Sequence, residues 1–362
     1  MSIHPKPAGI HTAWWSAEFG ELTGQAIVTA RVVGLLSAAG GQGVVYPPGG
    51  LRATPSWLAA ALRLWRLALL GRVRQLYLVC SRSNVGFLRD LPAYLLVLFG
   101  SRVVVHTHGS DIVELCQRPW IGWLARFFMA RCLLLLPSAH LVSSLHGLGI
   151  VNTTCCENFF EPSAGQIATV GSAGKKSQHT LTILWNSNVM ASKGFFILAE
   201  AVKRLVQSGR KVSMMALGRC VGDGVMDVDA CVTKLQAMRM ETWLDYYGPV
   251  SRSESTRLLD EADIVCLPST YASECQPLAL IEAMCAARPI IVANTLALCA
   301  TVGNYPCLKV DVPAQPEALM RAILCCSEQT ESMSLAEAAQ VARERFSPER
   351  FDQEMRVLLG LP

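Results

Sequence analysis

The chain has 362 residues, of which 51% are hydrophobic and 17% charged, and its formal net charge is +4. That composition excludes a disordered chain, and the length allows two domains with sizeable cores. Residues 1–155 hold 13 Lys/Arg against 5 Asp/Glu and the remainder 19 against 23, so the first part is the one expected to face an anionic partner.

The N-terminal MSIHPKPAG lacks the apolar core of a signal peptide, and no apolar run reaches bilayer-spanning length, which predicts a cytoplasmic protein. The 14 cysteines form no C-x-x-C pair, and Cys155/Cys156 and Cys325/Cys326 lack ligand spacing. Most cysteines sit in apolar runs, so reduced, buried thiols are expected.

In chain order, QGVVY (42–46), QLYLVC (75–80), RVVVH (102–106) and AHLVSS (139–144) predict buried strands, with helices near 24–38, 55–70, 87–99 and 119–131. Unbroken apolar strands alternating with helices predict a parallel sheet covered on both faces. SAGQIATVGSAGKKSQHT (163–180) reads as a linker. The pattern then restarts with strands LTILWN (181–186), KVSMMAL (211–217), DIVCLP (263–268) and PIIVAN (289–294). Helices are expected near 195–207, 253–262, 277–287 and 316–326, the first with a core face of Phe195, Leu198, Val202, Leu205 and Val206. The expected fold class is α/β, with one domain over 1–165, a second over 181–345 and a final helix within 346–362. Open α/β sheets take ligands at the carboxyl ends of their strands, so a cleft between two such units is where a site belongs. GGQG (40–43) ends a helix and GRCVGDG (218–224) has the wrong spacing for a dinucleotide fingerprint, which argues against a nicotinamide oxidoreductase.

SECQPLALIEAM (273–284) sets Glu274 ahead of Pro277 and Glu282 inside the apolar run behind it. Pro277 suits the first turn of a helix, and the strand-like ADIVCLPS (262–269) precedes it, so strand, loop and helix follow one another. Amides at such a helix start favour an anion. A phosphate there, with hydroxyls on both sides, would give each carboxylate an acceptor role. On spacing alone the plainer account comes first: an exposed loop glutamate and a solvated helix glutamate. The Asp-x-Asp of MDVDA (226–230) reads as a polar loop or helix start, not as a divalent-metal site, and no essential metal is expected.

Further segments occur in a telling order: GELTGQAIVTARVVGLL (20–36), SRSNVGFLRDL (81–91), VVVHTHGSD (103–111), NSNVMASKG (186–194) and GPVSRSESTRLLDEADIVCLPSTYASECQPLALIEAM (248–284). Together they resemble the retaining GT-B glycosyltransferases of family 4, with their E-x7-E signature. The resemblance implies two Rossmann-like domains facing each other across a cleft. It also implies that SPERFDQEMRVLLG (347–360) packs back toward the N-terminal domain. The donor it implies is a UDP- or GDP-linked sugar. Lys193 would then contact the diphosphate, the backbone around Gln276 to Leu278 would supply a second contact, and Gly24 would let the backbone approach the phosphates. Glu274 would accept hydroxyls of the donor sugar and Glu282 those of the ribose. His108 would lie beside the reacting sugar or acceptor, which makes His108, Glu274 and Lys193 the catalytic set. His106 shares the face of His108 and is either acceptor-side or structural. Arg82 and Arg89 either receive an anionic acceptor or are solvated, and Asp111 either orients a histidine or, as expected here, caps the next helix. The reaction that the resemblance implies is transfer with retention by front-face attack; a double displacement would need a carboxylate nucleophile, and the sequence offers no clear one.

Ser187 and Asn188 stand where many members carry an arginine, Gln276 replaces an aromatic residue, Ala287 a glycine, and LALCATVGN (296–304) lacks the usual Gly and Glu. These departures keep a non-catalytic nucleotide-sugar-binding or membrane scaffold, and a GT-B epimerase, as rivals to a transferase of surface polysaccharide assembly. WLAAALRLWRLALLGRVR (57–74) and RPWIGWLARFFMAR (118–131) are basic, aromatic and free of acids, which suits an anionic membrane surface and a lipid-linked saccharide acceptor. Nucleic acid is not expected, because the basic groups lie among bulky apolar residues.

Overall fold

The computed structural model describes residues 12–17, 24–46, 54–161, 180–328 and 333–362. They form two compact units, Met1–Asn158 with Glu349–Pro362, and Phe159–Pro348. Of the linker expected over 163–180, all but Thr180 lies outside the described residues, as does the glycine loop before Gly24.

The first unit runs β1 (Thr12–Ala17), α1 (Gly24–Ala38), β2 (Gln42–Tyr46), α2 (Thr54–Leu69), β3 (Gln75–Val79) and α3 (Asn84–Tyr94). It continues with β4 (Arg102–His106), α4 (Asp111–Gln117), α5 (Ile121–Met129), β5 (Leu133–Leu136), α6 (Ala139–His146) and β6 (Thr153–Cys155). Its strands make one parallel sheet in the order β2-β1-β3-β4-β5-β6. Val103, Val104 and Val105 are all buried, as are Leu134, Leu135 and Leu136, because helices on both faces leave a parallel strand no side toward water. One carboxylate sits inside this core. Asp90 accepts from Trp15 Nε1 at 3.0 Å, from the Tyr46 hydroxyl at 3.0 Å and from Ser81 N–H at 2.8 Å, so a single side chain ties β1, β2 and the loop after β3.

The second unit runs β7 (Leu181–Asn186), α7 (Phe195–Gln207), β8 (Val212–Leu217), α8 (Val228–Met238), β9 (Leu244–Gly248), α9 (Arg252–Glu261) and β10 (Ile264–Leu267). Then follow α10 (Leu278–Cys285), β11 (Ile290–Ala293), α11 (Leu296–Val302), β12 (Cys307–Val310), α12 (Pro316–Glu328) and α13 (Met333–Arg345). Its parallel sheet has the order β12-β11-β10-β7-β8-β9. From β7 the chain winds outward through β8 and β9, then returns beside β7 and winds the other way. The strand order therefore reverses between β7 and β10, which opens a crevice at their carboxyl ends. The last helix, α14 (Pro348–Leu359), belongs from Glu349 onward to the first unit. Arg31 grips Asp352 with bonds of 2.6 and 2.8 Å, and Gln75 and Arg102 donate to the carbonyls of Leu359 and Leu358 at 2.8 and 2.7 Å.

Several local expectations need correction. AHLVSS is not a strand: Leu141 and Leu145, four apart, are buried while Ser143 and Ser144 are exposed, so the segment is the helix α6. The strand next to it is the short LLLL run of β5, and β1, β6, β9 and β12 are further strands that the apolar runs did not mark. The helix expected over 87–99 starts earlier, because the Ser83 hydroxyl caps Gly86 N–H at 3.0 Å, and it tightens to a 3-10 turn over Leu95–Phe99. Asp227 of MDVDA caps α8 by accepting from Ala230 N–H at 2.8 Å.

The C-terminus of α10 is closed with unusual chemistry. Ala287 N–H donates to Met284 O at 3.1 Å and Arg288 N–H to Ala283 O at 2.9 Å, the paired bonds of a Schellman motif. The residue at the left-handed position is Ala287, at φ +56°, where glycine is the usual occupant. Arg343 of α13 donates Nε to Cys285 O at 2.8 Å and complements the same helix end. Ala287→Gly is therefore expected to stabilise the protein by about 1 kcal/mol, relieving the left-handed strain against a smaller entropy loss. Urea unfolding checks this, and an unchanged or lower midpoint would contradict it.

Candidate functional site

β7 ends in Asn186 beside the end of β10, at the reversal of the sheet. The turn that follows β7 carries Lys193 and closes on Gly194 at φ +87°, where a Cβ would lie 2.7 Å from the carbonyl oxygen of Pro268. The Lys193 turn is thus pressed against the loop leaving β10. Thr270 N–H and hydroxyl donate to Ser192 O at 2.8 and 3.0 Å, and Ser192 N–H donates to Asp223 Oδ2 at 2.7 Å. Burial works to raise the Asp223 pKa, yet its bonds from Ser192, Met226 and Val225 hold it below the usual carboxylate value.

Lys193 Nζ lies 3.3 Å from Glu274 Oε2 and 3.1 Å from the Ser187 hydroxyl, and Ser269 donates to the same Glu274 oxygen at 3.0 Å. The two charged side chains are only 15% and 10% exposed. The start of α10 follows directly. Pro277 is its N-cap, not a first-turn residue, and no side chain caps the helix, so its first amides are open to a ligand. Gln276 is buried just ahead of it. Farther along α10, Glu282 accepts from Asn186 Nδ2 at 2.9 Å, and Ser255 donates to Asn186 Oδ1 at 3.3 Å. Burial raises the Glu282 pKa, with Arg252 and Asn186 acting against it. Lys193, Glu274, Gln276, Leu278 and Glu282 therefore share one carboxyl edge of the second unit.

In the first unit, His106 closes β4 and is fully buried, with Nδ1 2.7 Å from the Tyr77 hydroxyl. The His108 ring lies 4.2 Å from it, and His108 Nε2 is 3.4 Å from Thr29 Oγ1 of α1. Thr29 donates its own proton to Gln25 O at 2.8 Å, so it faces His108 as an acceptor. Burial pushes the His106 pKa down to about 3, and burial with the neighbouring His106 and Arg82 lowers that of His108. Both rings are neutral at pH 7. Arg82 is ion-paired with Asp111, and Arg89 donates to the Ser81 hydroxyl at 2.7 Å while lying over the Tyr46 ring, so neither is a freely solvated charge. The N-cap of α4 is Ser110, and Asp111 instead occupies the first turn as the counterion of Arg82. Gly24 is the first residue of α1, in the first unit, and the five residues gathered at α10 belong to the second.

Residues 180–329 match the family model of the glycosyl transferases group 1. No curated protein matches the chain. Solved structures similar to it include HepE of Anabaena, at 15% identity and TM-score 0.71 over 97% of this chain and 99% of that one. Sucrose-phosphate synthase of Thermosynechococcus elongatus is similar at 16% identity and TM-score 0.71, covering 96% and 98% of the two chains. WaaG, a glycosyltransferase involved in lipopolysaccharide biosynthesis, is similar at 14% identity and TM-score 0.62, covering 96% and 99%. The likeness spans both units and gives the chain the GT-B fold of two Rossmann-like domains.

Sequence reasoning missed the partners that hold the candidate site residues in place. Ser187 was marked only as the position of an absent arginine, yet its hydroxyl receives Lys193. Asn186, Ser269 and Asp223 anchor Glu282, Glu274 and the Lys193 turn, and each lies remote in sequence or in a loop without periodicity. Tyr77 could have been found from its register one strand over, since β3 and β4 pair in parallel.

The neutral histidines have a measurable consequence. The unfolded chain protonates His106 near 6.5, the folded one only near about 3. Stability is therefore intact above about pH 6.5 and is lost at up to about 1.4 kcal/mol per pH unit below it, on account of His106. His106→Gln is expected to flatten the dependence of unfolding free energy on pH between pH 7 and 4 in urea titrations. Equal slopes for the two proteins would contradict it.

Proposed function

We propose that the chain is a retaining glycosyltransferase that moves a sugar from a UDP- or GDP-sugar to a lipid-linked saccharide acceptor, in surface polysaccharide assembly at the cytoplasmic membrane face. The observation that carries this is the Lys193–Glu274 pair at the uncapped start of α10, with Glu282 farther along the same helix. HepE solved with UDP and glucose, and WaaG with its place in lipopolysaccharide biosynthesis, support the donor class and the setting. Among the described residues no helix is long and apolar enough to cross a membrane, so membrane contact is peripheral in this proposal.

Departure of a nucleoside diphosphate from the anomeric carbon builds negative charge. In this reading Lys193 and the first amides of α10 offset that charge, and no essential metal is needed. With Ser187 and Asn188 where many members carry an arginine, Lys193 supplies the side-chain cation in this reading. In the ligand-free protein Glu274 is its counterion. A bound diphosphate takes over that pairing and leaves the Glu274 carboxylate to accept hydroxyls of the donor sugar. Glu282 serves the ribose in the same manner, and hydroxyl donors there draw its raised pKa back down. His108, held neutral, gives its Nε2–H to Thr29 and keeps Nδ1 as an acceptor for the reacting sugar or acceptor. The acceptor hydroxyl attacks from the face that the diphosphate leaves.

Calorimetric titration with UDP and GDP, run in EDTA, is expected to show tight binding of one of them, with Lys193→Ala losing about 100-fold in affinity. Binding of neither nucleotide would favour the non-catalytic scaffold, and binding that survives the substitution would remove Lys193 from the diphosphate site. Glu274→Gln separates the two roles of Glu274. The variant is expected to bind the free nucleotide as tightly as the parent or more so, because Lys193 loses its competing counterion. Donor-sugar turnover should nevertheless fall by roughly 100-fold. Loss of nucleotide affinity in this variant would show that Glu274 orders Lys193 for the phosphate instead.

A further inference from the structure

Helix α2 lies on the first unit with a narrow core face of Ala60, Ala61 and Leu64. Beside that face runs a second apolar stripe, spaced by four, three and four residues. Leu58, Leu62 and Leu69 are 50%, 64% and 79% exposed, and Trp65 packs edge-to-face on Phe99, itself 68% exposed, at 5.1 Å. Large apolar side chains gathered in this way on the outside of a soluble unit mark an interaction surface, in contrast to scattered single ones. Farther round the helix stand Arg63 and Arg66, both exposed, and Arg72 and Arg74 follow in the turn after it. Residues 57–74 contain no acid, and among the described residues none of these four guanidiniums has an ion-pair partner.

The other basic aromatic segment differs in the state of its charges. Trp120 and Trp123 of 118–131 are exposed, but Arg118 is paired with Glu114 at 2.8 Å and with Asn84, Arg126 donates to Cys116 O, and Arg131 to Phe127 O at 2.6 Å. Those guanidiniums are occupied by the protein itself, whereas those of α2 are left for an outside anion.

We propose that the Leu58–Leu62–Trp65–Leu69 stripe of α2, extended by Phe99, docks on an anionic lipid bilayer, with Arg63 and Arg66 against its headgroups. Charge complementarity identifies the occupant. An amphipathic helix lying in the interface sinks its apolar stripe to the acyl boundary and leaves its cations at the phosphates, and an edge-on tryptophan suits that boundary. Another protein would more often cover such a stripe with complementary acids at defined positions, while a fluid anionic surface needs only the ring of unpaired cations.

The test is flotation of the full chain with vesicles of phosphatidylcholine containing about a quarter phosphatidylglycerol, against phosphatidylcholine alone. The chain is expected to float with the anionic vesicles and to be released by salt. Leu62→Ser with Leu69→Ser should weaken binding at least about tenfold, and Arg63→Gln with Arg66→Gln about fivefold per arginine. All four positions are exposed, and far-ultraviolet circular dichroism checks that the variants are folded. No flotation of the parent would overturn the proposal, as would binding that is lost with Trp120→Ser and Trp123→Ser but kept in the leucine variant. A dimer in sedimentation velocity that the leucine changes dissociate would overturn it in favour of a second copy of the chain. The proposal rests on the membrane setting of the proposed function; vesicle binding is read without donor and nucleotide titration without vesicles, so its failure and that of sugar transfer are distinguished.

Discussion

The candidate site depends on how firmly α10 is held from behind. Leu280, Ile281, Ala283 and Met284 are buried against the sheet, the Schellman bonds close the helix after Cys285, and Arg343 neutralises its last carbonyl. Only the first turn is left without a side-chain cap. A helix fixed at three points and open at the fourth presents its amides in a constant direction, which is what binding an anion by backbone requires. Glu282 shares that rigidity because it projects from the same helix, and Asn186 at the end of β7 meets it across the reversal of the sheet.

Lys193 and Glu274 depend on each other in a different way. Each is mostly buried, and a buried charge left alone costs several kcal/mol, so neither is tolerable without the other or a ligand in its place. Their positions are set by backbone, not by the pair itself: Gly194 against Pro268, Thr270 onto Ser192, Asp223 onto the amide of Ser192. The pair is therefore a pre-placed cation and a pre-placed acceptor, whose mutual attraction a diphosphate sugar would replace on both sides in the proposed function. Asp223 does this work from a loop that shows no motif, and its depressed pKa keeps it ionised as an acceptor.

Burial removes charge throughout the first unit. It raises the Asp90 pKa despite the donors that converge there, and it lowers those of His106 and His108. The histidines consequently act as neutral hydrogen-bonding groups, with Tyr77 and Thr29 holding them. The arginines that remain charged near them are matched individually, Arg82 by Asp111 and Arg89 by the Ser81 hydroxyl and the Tyr46 ring. Among the described residues, the unmatched cations of this unit lie outward, on α2 and the turn after it.

What the sequence by itself determined was local. The alternation of apolar strands and amphipathic helices gave the α/β class, and QLYLVC, RVVVH, LTILWN and DIVCLP became the central strands at nearly the expected bounds. Glu274, Pro277 and Glu282 were legible because proline and helix periodicity act over a few residues, and Lys193 because a Lys-Gly turn does so too. Where a local signal was ambiguous it misled: AHLVSS has the composition of a strand, and only burial of Leu141 and Leu145 on one face makes it a helix. Tertiary structure alone decided the strand order, with its reversal between β7 and β10, and the identity of every partner at the site. Asn186 meets Glu282, Ser187 meets Lys193 and Asp223 meets Ser192 only once those strands are paired, because hydrogen bonds between remote side chains follow from the placement of backbones and leave no periodic trace in the chain.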